Sequence, residues 1–416
     1  MNHNVVRRLL ILGAGTAGTI TANKLRAKLP KSEWEIKVVA KDDIHDYKPS
    51  YLFIPFGMNE PEQARRSAHS FIDDGIIFEM GEVDVVQPEE KKVVLVDGRE
   101  LPYDYLVIAT GAHPRPDMTE GSLSDEWHKT VGEFYSLDGA MALREQAFKW
   151  RGGKLVMHIT EFPIMCPVAP LEFVLLADSW LRKQGLRAET EITYVTPLDG
   201  AFTKPVASKI LGDLLEKRNI KVEADFMIER IDAEQKKIVS FDEREIPFDQ
   251  LVTVPLNMGA EFVARSGLGD ELNFVTVDKH TMQHTTHPEI FALGDAGNLP
   301  TSKAGSVAHF SIDVFVENFL QLAAGRPMTH KFDGHANCFI ESGDRKALLL
   351  DFNYETEPYP GTFPFPAVGP LTLLGESHMN HLSKLAFRWV YWNLLLPGRP
   401  IPLPPDMSMV GKNTNV

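Results

Sequence analysis

Cysteine is scarce in this sequence. Only Cys166 and Cys338 occur among 416 residues, too few for a disulfide scaffold or a cysteine-based zinc cluster. Long hydrophobic runs are missing too, and none approaches the roughly 20 apolar residues of a membrane-spanning helix. Positive charge is in short supply, with 43 Lys and Arg against 57 Asp and Glu and a net charge of −14. Such an acidic chain is not a general nucleic-acid binder, because that affinity rests on neutralising phosphates. The 44% hydrophobic and 24% charged content is that of a globular protein, which excludes disordered and fibrous classes. The length exceeds what one core usually spans, so two or three domains are expected. Arg7-Arg8 before Leu9–Leu12 imitates a targeting segment, but the apolar run is short and flows directly into a glycine turn. The expectation is a cytoplasmic protein without a signal peptide.

What is present begins at that turn. Leu9–Leu12 reads as a β-strand, Gly13-Ala14-Gly15-Thr16-Ala17-Gly18 as a G-x-G-x-x-G element, Thr19–Leu29 as a helix and Glu35–Ala40 as a second strand. This order is the context a dinucleotide-binding turn requires, with the pyrophosphate at the helix N-terminus. The acidic residue expected at the end of the second strand to hold a ribose is missing, and Ala40-Lys41 stand there. Tyr103–Gly111 is a strand ending in Ala-Thr-Gly, and Thr286–Asp295 is a strand ending in Gly-Asp.

A second βαβ unit opens with Lys154–Ile159 and continues through Glu191–Val195 and Leu251–Val254, but its turn, Thr160–Glu172, contains no glycine. A bulky, proline-rich turn keeps a pyrophosphate away from the backbone, which argues against a nicotinamide nucleotide as electron donor. Pro167 suits the first helical position ahead of a helix body Leu171–Leu181, which puts Cys166 at the N-cap, where the helix end favours a thiolate. Taken alone, such a cysteine is more often a small buried side chain.

The glycine turn, the Ala-Thr-Gly element and the Thr286–Asp295 element together resemble the flavoproteins with two dinucleotide-binding domains. That resemblance implies FAD, bound non-covalently, with Gly13, Gly15, Gly18, Thr110 and Gly111 in its site and Asp295 accepting from the ribityl chain. The Cys166-Pro-Val-Ala-Pro-Leu-Glu172 pattern resembles, within that superfamily, the sulfide:quinone oxidoreductases and the flavoprotein subunit of flavocytochrome c sulfide dehydrogenases. It implies a redox disulfide between Cys166 and Cys338 beside the flavin, sulfide as substrate, and Glu172 as proton acceptor. The other reading of Glu172 is a charge favourable near a helix start. Lys303 is either a cation at the flavin edge or a solvated loop lysine. His113 and His158 lie near strand ends facing the site, and each is more often a structural histidine.

The C-terminal stretch Glu376–Leu396 mixes Leu, Trp and Tyr with Lys384 and Arg388, and the tail cations Lys384, Arg388, Arg399 and Lys412 outnumber Glu376 and Asp406. Such a segment suits a membrane interface, or else a packed helix or dimer contact. The resemblance implies a monotopic protein on the cytoplasmic side of the membrane that admits quinone, with Phe339, Phe365 and Tyr391 as lining candidates. No metal site is expected, and homo-oligomerisation is left open. The expected fold class is α/β. It comprises a split FAD domain (1–115 and 285–330), a degenerate second dinucleotide-type domain with Cys166 (116–284), and a C-terminal domain with Cys338 and amphipathic helices (331–416). The rivals are a flavocytochrome c-type sulfide dehydrogenase subunit, a type II NADH:quinone oxidoreductase, and a flavin-bearing sulfur-binding protein that does not turn over.

Overall fold

A computed structural model describes residues 6–365 and 367–415. Three sheets organise the chain. The first is a parallel five-stranded sheet built from β1 (Arg7–Leu12), β2 (Trp34–Ala40), β3 (Ile77–Met80), β4 (Tyr105–Ile108) and a late strand, Ile290–Ala292. Its order is Ile290–Ala292, β4, β1, β2, β3, so the sheet closes only when the chain returns to it. Central β1 is apolar on both faces, and Leu9 through Leu12 are each at most 2% exposed, as a parallel strand covered on both sides requires. Helix α1 (Thr16–Arg26) starts earlier than its composition suggests because Gly15 is already its N-cap.

The second sheet is also parallel and five-stranded. It orders β5 (Val131–Gly132), β9 (Gln250–Val254), β6 (Gly153–Ile159), β7 (Thr190–Val195) and β8 (Lys221–Glu223) side by side. Helix α2 (Ala169–Gln184) leaves β6 and α3 (Pro205–Lys217) leaves β7, repeating the strand–turn–helix plan of the first sheet. The late strand Ile290–Ala292, β10, leads into the long helix α4 (Gly305–Ala323).

The third sheet is C-terminal. Strand β11 (Ala336–Gly343) pairs antiparallel with β12 (Lys346–Phe352), placing Cys338 opposite Leu350. The hairpin of β13 (Gly361–Phe365) and β14 (Gly369–Leu373) completes it. Helix α5 (His378–Val390), capped by Ser377 through the Asn380 amide, lies over this sheet and runs into a π-helical turn, Tyr391–Leu395. Helix α2 packs against β11, and this contact brings the second and third sheets together. Among the described residues no helix is long and apolar enough to cross a membrane.

Candidate functional site

The glycines of the first turn do three different jobs. Gly13 has φ +102, and a Cβ there would sit 2.5 Å from the Ala109 carbonyl oxygen. A Cβ on Gly18 would fall 1.9 Å from the Gly13 oxygen, whereas one on Gly15 would meet nothing within 4 Å. Gly13 and Gly18 therefore make the turn tight, and Gly15 keeps the approach to the helix end open. No side chain caps α1 and no acidic residue lies in its first turn, so its free N–H groups and positive end face outward for an anion. Beside them the Thr110 hydroxyl is buried with no protein partner, and Gly111 adopts φ +73 with open space around it. A buried hydroxyl rarely stays unpaired, and together these features fit a bound dinucleotide.

Asp295 ends the Gly-Asp element. Burial raises its carboxyl pKa, and Lys303 and Lys48 oppose the rise. Lys303 is no solvated loop lysine. Its ammonium donates to the carbonyls of Asp295 and Gly297 at 3.0 and 3.1 Å and lies 3.6 Å from the Phe274 ring centroid. Burial brings its pKa down to about 8. Lys48, which no motif marks in the sequence, opens a short 3-10 helix, Lys48–Phe53. Its ammonium donates to the Met165 sulfur at 3.2 Å, and its charge neighbours are Asp295 and Asp46. His113, also in this region, has its pKa lowered to about 4 by burial and by Lys48 and Lys41.

Cys166 is not an N-cap. Helix α2 begins at Ala169 with Val168 as N-cap, so Pro167 lies outside it. The start shifts because Cys166 takes the left-handed conformation, φ +49. It is pinned there by its N–H donating to the Lys303 carbonyl at 2.7 Å and its carbonyl accepting from Ala169 N–H at 2.9 Å. The expected thiolate stabilisation does not follow either, because burial, Glu172 and Cys338 push the Cys166 thiol well above its ordinary pKa, against Lys384. Cys338, from the far end of the chain, is buried in β11. Its thiol is pushed up to about 12 by burial and Glu172, with Lys384 and Ser306 opposing. Both cysteines are free thiols. They share Glu172 and Lys384 as charge neighbours, and Cys338 is itself a charge neighbour of Cys166.

Glu172 is fully enclosed at 2% exposure. It accepts the Glu341 N–H at 2.6 Å and pairs with the Lys384 ammonium, which also reaches the Phe339 carbonyl at 3.4 Å. Burial raises the Glu172 pKa and Lys384 opposes it. This corrects the assignment of Lys384 to a lipid surface, since the lysine points inward to the sulfur site. Lys412 is likewise buried, against Asp351, and Arg388 bonds Asn59 and Gln63. The positive tail is therefore mostly spent inside the protein. His158 does not face the site. It is buried in β6, bonded to Thr253 at 3.1 Å and set edge-on to Phe226, and burial lowers its pKa to about 3.

The quinone candidates separate. Phe339 lies next to Cys338 on β11 and is partly buried, while Phe365 is 63% exposed near the tip of the β13–β14 hairpin. Tyr391 lies elsewhere, at the dinucleotide turn. The His45 ring bonds the Ala14 carbonyl at 3.0 Å through Nδ1 and Tyr391 at 2.6 Å through Nε2. Burial lowers the His45 pKa and keeps the ring neutral. A carbonyl only accepts, so Nδ1 carries the hydrogen, the Tyr391 hydroxyl donates to Nε2, and Thr16 donates to Tyr391 at 2.6 Å. The C-terminal segment thereby closes the first turn, a role no local pattern in the sequence signals.

Two parallel sheets and an open glycine turn with an uncapped helix are the frame of an FAD-binding oxidoreductase. Residues 7–149 match the sequence model of the pyridine nucleotide-disulphide oxidoreductase family. The chain is 28% identical over 401 residues to the mitochondrial sulfide:quinone oxidoreductase of Dictyostelium discoideum, covering 95% of this chain and 87% of the relative. It is 28% identical over 411 residues to that of Schizosaccharomyces pombe, with 93% and 89% covered. The crystal structure of the sulfide:quinone oxidoreductase from Aquifex aeolicus shares its fold, with a TM-score of 0.79 at 19% identity over 95% of this chain and 92% of the other. The chain is thus a homologue of the sulfide:quinone oxidoreductases along nearly its whole length.

Proposed function

We propose that the protein oxidises sulfide through a Cys166–Cys338 disulfide and passes two electrons by way of FAD to a membrane quinone. The observation that carries this reading is that Cys166 and Cys338, from distant parts of the chain, are charge neighbours of one another and share the buried Glu172–Lys384 pair. In the oxidised protein HS⁻ attacks one sulfur of the bridge. A new S–S bond forms, the old one breaks, one cysteine holds a persulfide and the other leaves as a thiolate. Lys384 offsets the negative charge that appears, and Glu172 takes the proton of the persulfide. Gly13, Gly15 and Gly18 admit the pyrophosphate of FAD, with Thr110, Gly111 and Asp295 along the rest of it. Bound there, FAD supplies the two-electron acceptor. Lys303 acts from outside this contact, by holding the Asp295–Gly297 turn and the Cys166 backbone.

The membrane contact falls to the outer face of α5. Leu382, Leu385 and Trp389 recur at i, i+3 and i+7 and are 57%, 48% and 62% exposed. Phe365 and Val368, the latter 83% exposed, extend apolar surface at the hairpin. Exposed apolar surface of this kind marks a lipid or partner contact. Attraction to lipid then comes from apolar burial rather than from the tail's positive charge, because Lys384 and Lys412 face inward. Phe339 and Phe365 remain the lining candidates for quinone entry, and the side of the membrane is left open.

Anaerobic titration of the holoprotein tests the reading. Sulfide should bleach the flavin, a short-chain quinone should restore its colour, and NADH should do neither at a useful rate. Bleaching by NADH in place of sulfide would overturn it in favour of a type II NADH:quinone oxidoreductase. Replacing Leu382, Leu385 and Trp389 together by serine should release the protein from quinone-containing vesicles in a sedimentation assay.

A further inference from the structure

Behind the sulfur pocket lies a second set of buried charges that the disulfide chemistry does not use. Glu341 stands three residues after Cys338 on β11, and its carboxyl is almost wholly enclosed. One of its oxygens lies 2.7 Å from His381 Nδ1, and the other is buried without any partner. An unpaired buried carboxylate oxygen is costly and calls for a reason. His381 sits one turn before Lys384 on α5, and its side chain is 17% exposed. The Glu341 N–H holds the Glu172 carboxylate that pairs with Lys384. Four ionisable side chains, Glu172, Lys384, Glu341 and His381, thus run from the cysteines to the surface.

The reaction needs such a route. Oxidising HS⁻ to sulfane sulfur releases two electrons and one proton, whereas reducing a quinone to its quinol takes up two electrons and two protons. One proton per turnover has to enter from solvent. We propose that His381 and Glu341 are the inlet for that proton: the Lys384 ammonium beside the Phe339 carbonyl gives one proton to the quinone being reduced, and the amine it leaves is reprotonated from solvent through His381 and Glu341. His381 takes it from water, Glu341 receives it on the oxygen facing the ring and releases it from the unpartnered one. Glu172 stays the sulfur-side acceptor. This inference rests on the sulfide:quinone reading of the site.

The surrounding charges suit the task. Burial raises the Glu341 carboxyl to about 7, with Lys384 and Lys183 opposing. Burial, with His378, Arg345, Lys384 and Lys183 as charge neighbours, lowers the His381 imidazole, so it does not trap the proton. Glu341 is protonated below about pH 7 and ionised above it. Quinone-dependent reoxidation should therefore slow as pH rises through that value.

The test is rapid-mixing reoxidation of dithionite-reduced holoprotein by a short-chain quinone, followed by flavin absorbance across pH. Reduction by dithionite separates this test from the sulfide reading, which would fail instead as an absence of sulfide bleaching in the unmodified protein. Glu341→Gln and His381→Ala should each slow reoxidation at least about tenfold and flatten its pH dependence, and added imidazole should restore His381→Ala. Should His381→Ala lose FAD, His381→Gln keeps the volume and serves in its place. Unchanged rates and pH profiles in both variants would overturn the inference. So would slowing that keeps the original pH profile and ignores imidazole.

Discussion

The turn after β1 and the turn after β6 occupy the same place in two copies of one plan, a parallel strand feeding a helix. In the first, Gly13 and Gly18 compress the backbone and the end of α1 carries no cap. In the second, Pro163 and Pro167 fill the space and Cys166 takes a left-handed conformation that a β-carbon resists. The chain holds Cys166 there with the Lys303 carbonyl and fixes neighbouring Met165 with the Asn257 side chain at 2.8 Å. One topology has thus been put to two uses. Where the turn is thin it admits a cofactor, and where it is thick it presents a thiol against a strand from the end of the chain.

The comparison breaks most completely at the second turn. Cys166→Ser or Cys338→Ser should slow sulfide-driven bleaching by on the order of a thousandfold while the flavin remains bound, as the absorbance spectrum of the purified variant will report. At the first turn the outcome inverts. Gly18→Ala forces a methyl to within 1.9 Å of the Gly13 oxygen, so the protein should purify largely without FAD and lose roughly 1–3 kcal/mol of stability, read by denaturant titration. Lys384→Met sharpens the electrostatic side. Lys384 is the one charge that opposes the rise of both thiols, so its loss raises them further and cuts the thiolate fraction at any given pH. Alkylation of the reduced protein by iodoacetamide should slow by up to about tenfold per pKa unit, with its pH profile moved upward. The smallest effect is expected for Tyr391→Phe, which cuts the bonds from Thr16 and to His45. It should weaken FAD retention by about 1 kcal/mol per bond lost, measured by flavin release on dilution.

The parts of the molecule that sequence made legible are those fixed by local pattern. The apolar run of β1 and the spacing of Gly13, Gly15 and Gly18 require a buried parallel strand and a tight turn wherever they occur. The absence of glycine from 160–172 was equally plain. The helix start at Ala169 instead of Pro167 was not, because it depends on a hydrogen bond from Cys166 to Lys303, far along the chain. Lys384 and Tyr391 were misplaced for a related reason. Composition tells that a helix carries a cation or a phenol, while the packing of α5 on β12 and the π-helical turn after it decide where each points. Glu341 left no trace in the pattern, since a carboxylate on a strand reads as solvent-facing until a helix covers it.

The threading of residues 391–398 back onto the first nucleotide turn carries a consequence for biosynthesis. Tyr391 seals that turn through Thr16 and His45, and the Leu396 carbonyl accepts from Asn23 of α1. A nascent polypeptide that has not yet emerged past these positions lacks one wall of its own cofactor cradle. A chain cut short before Tyr391 loses these contacts to the turn and should hold FAD more weakly than the longer chain, as its flavin content after purification will report.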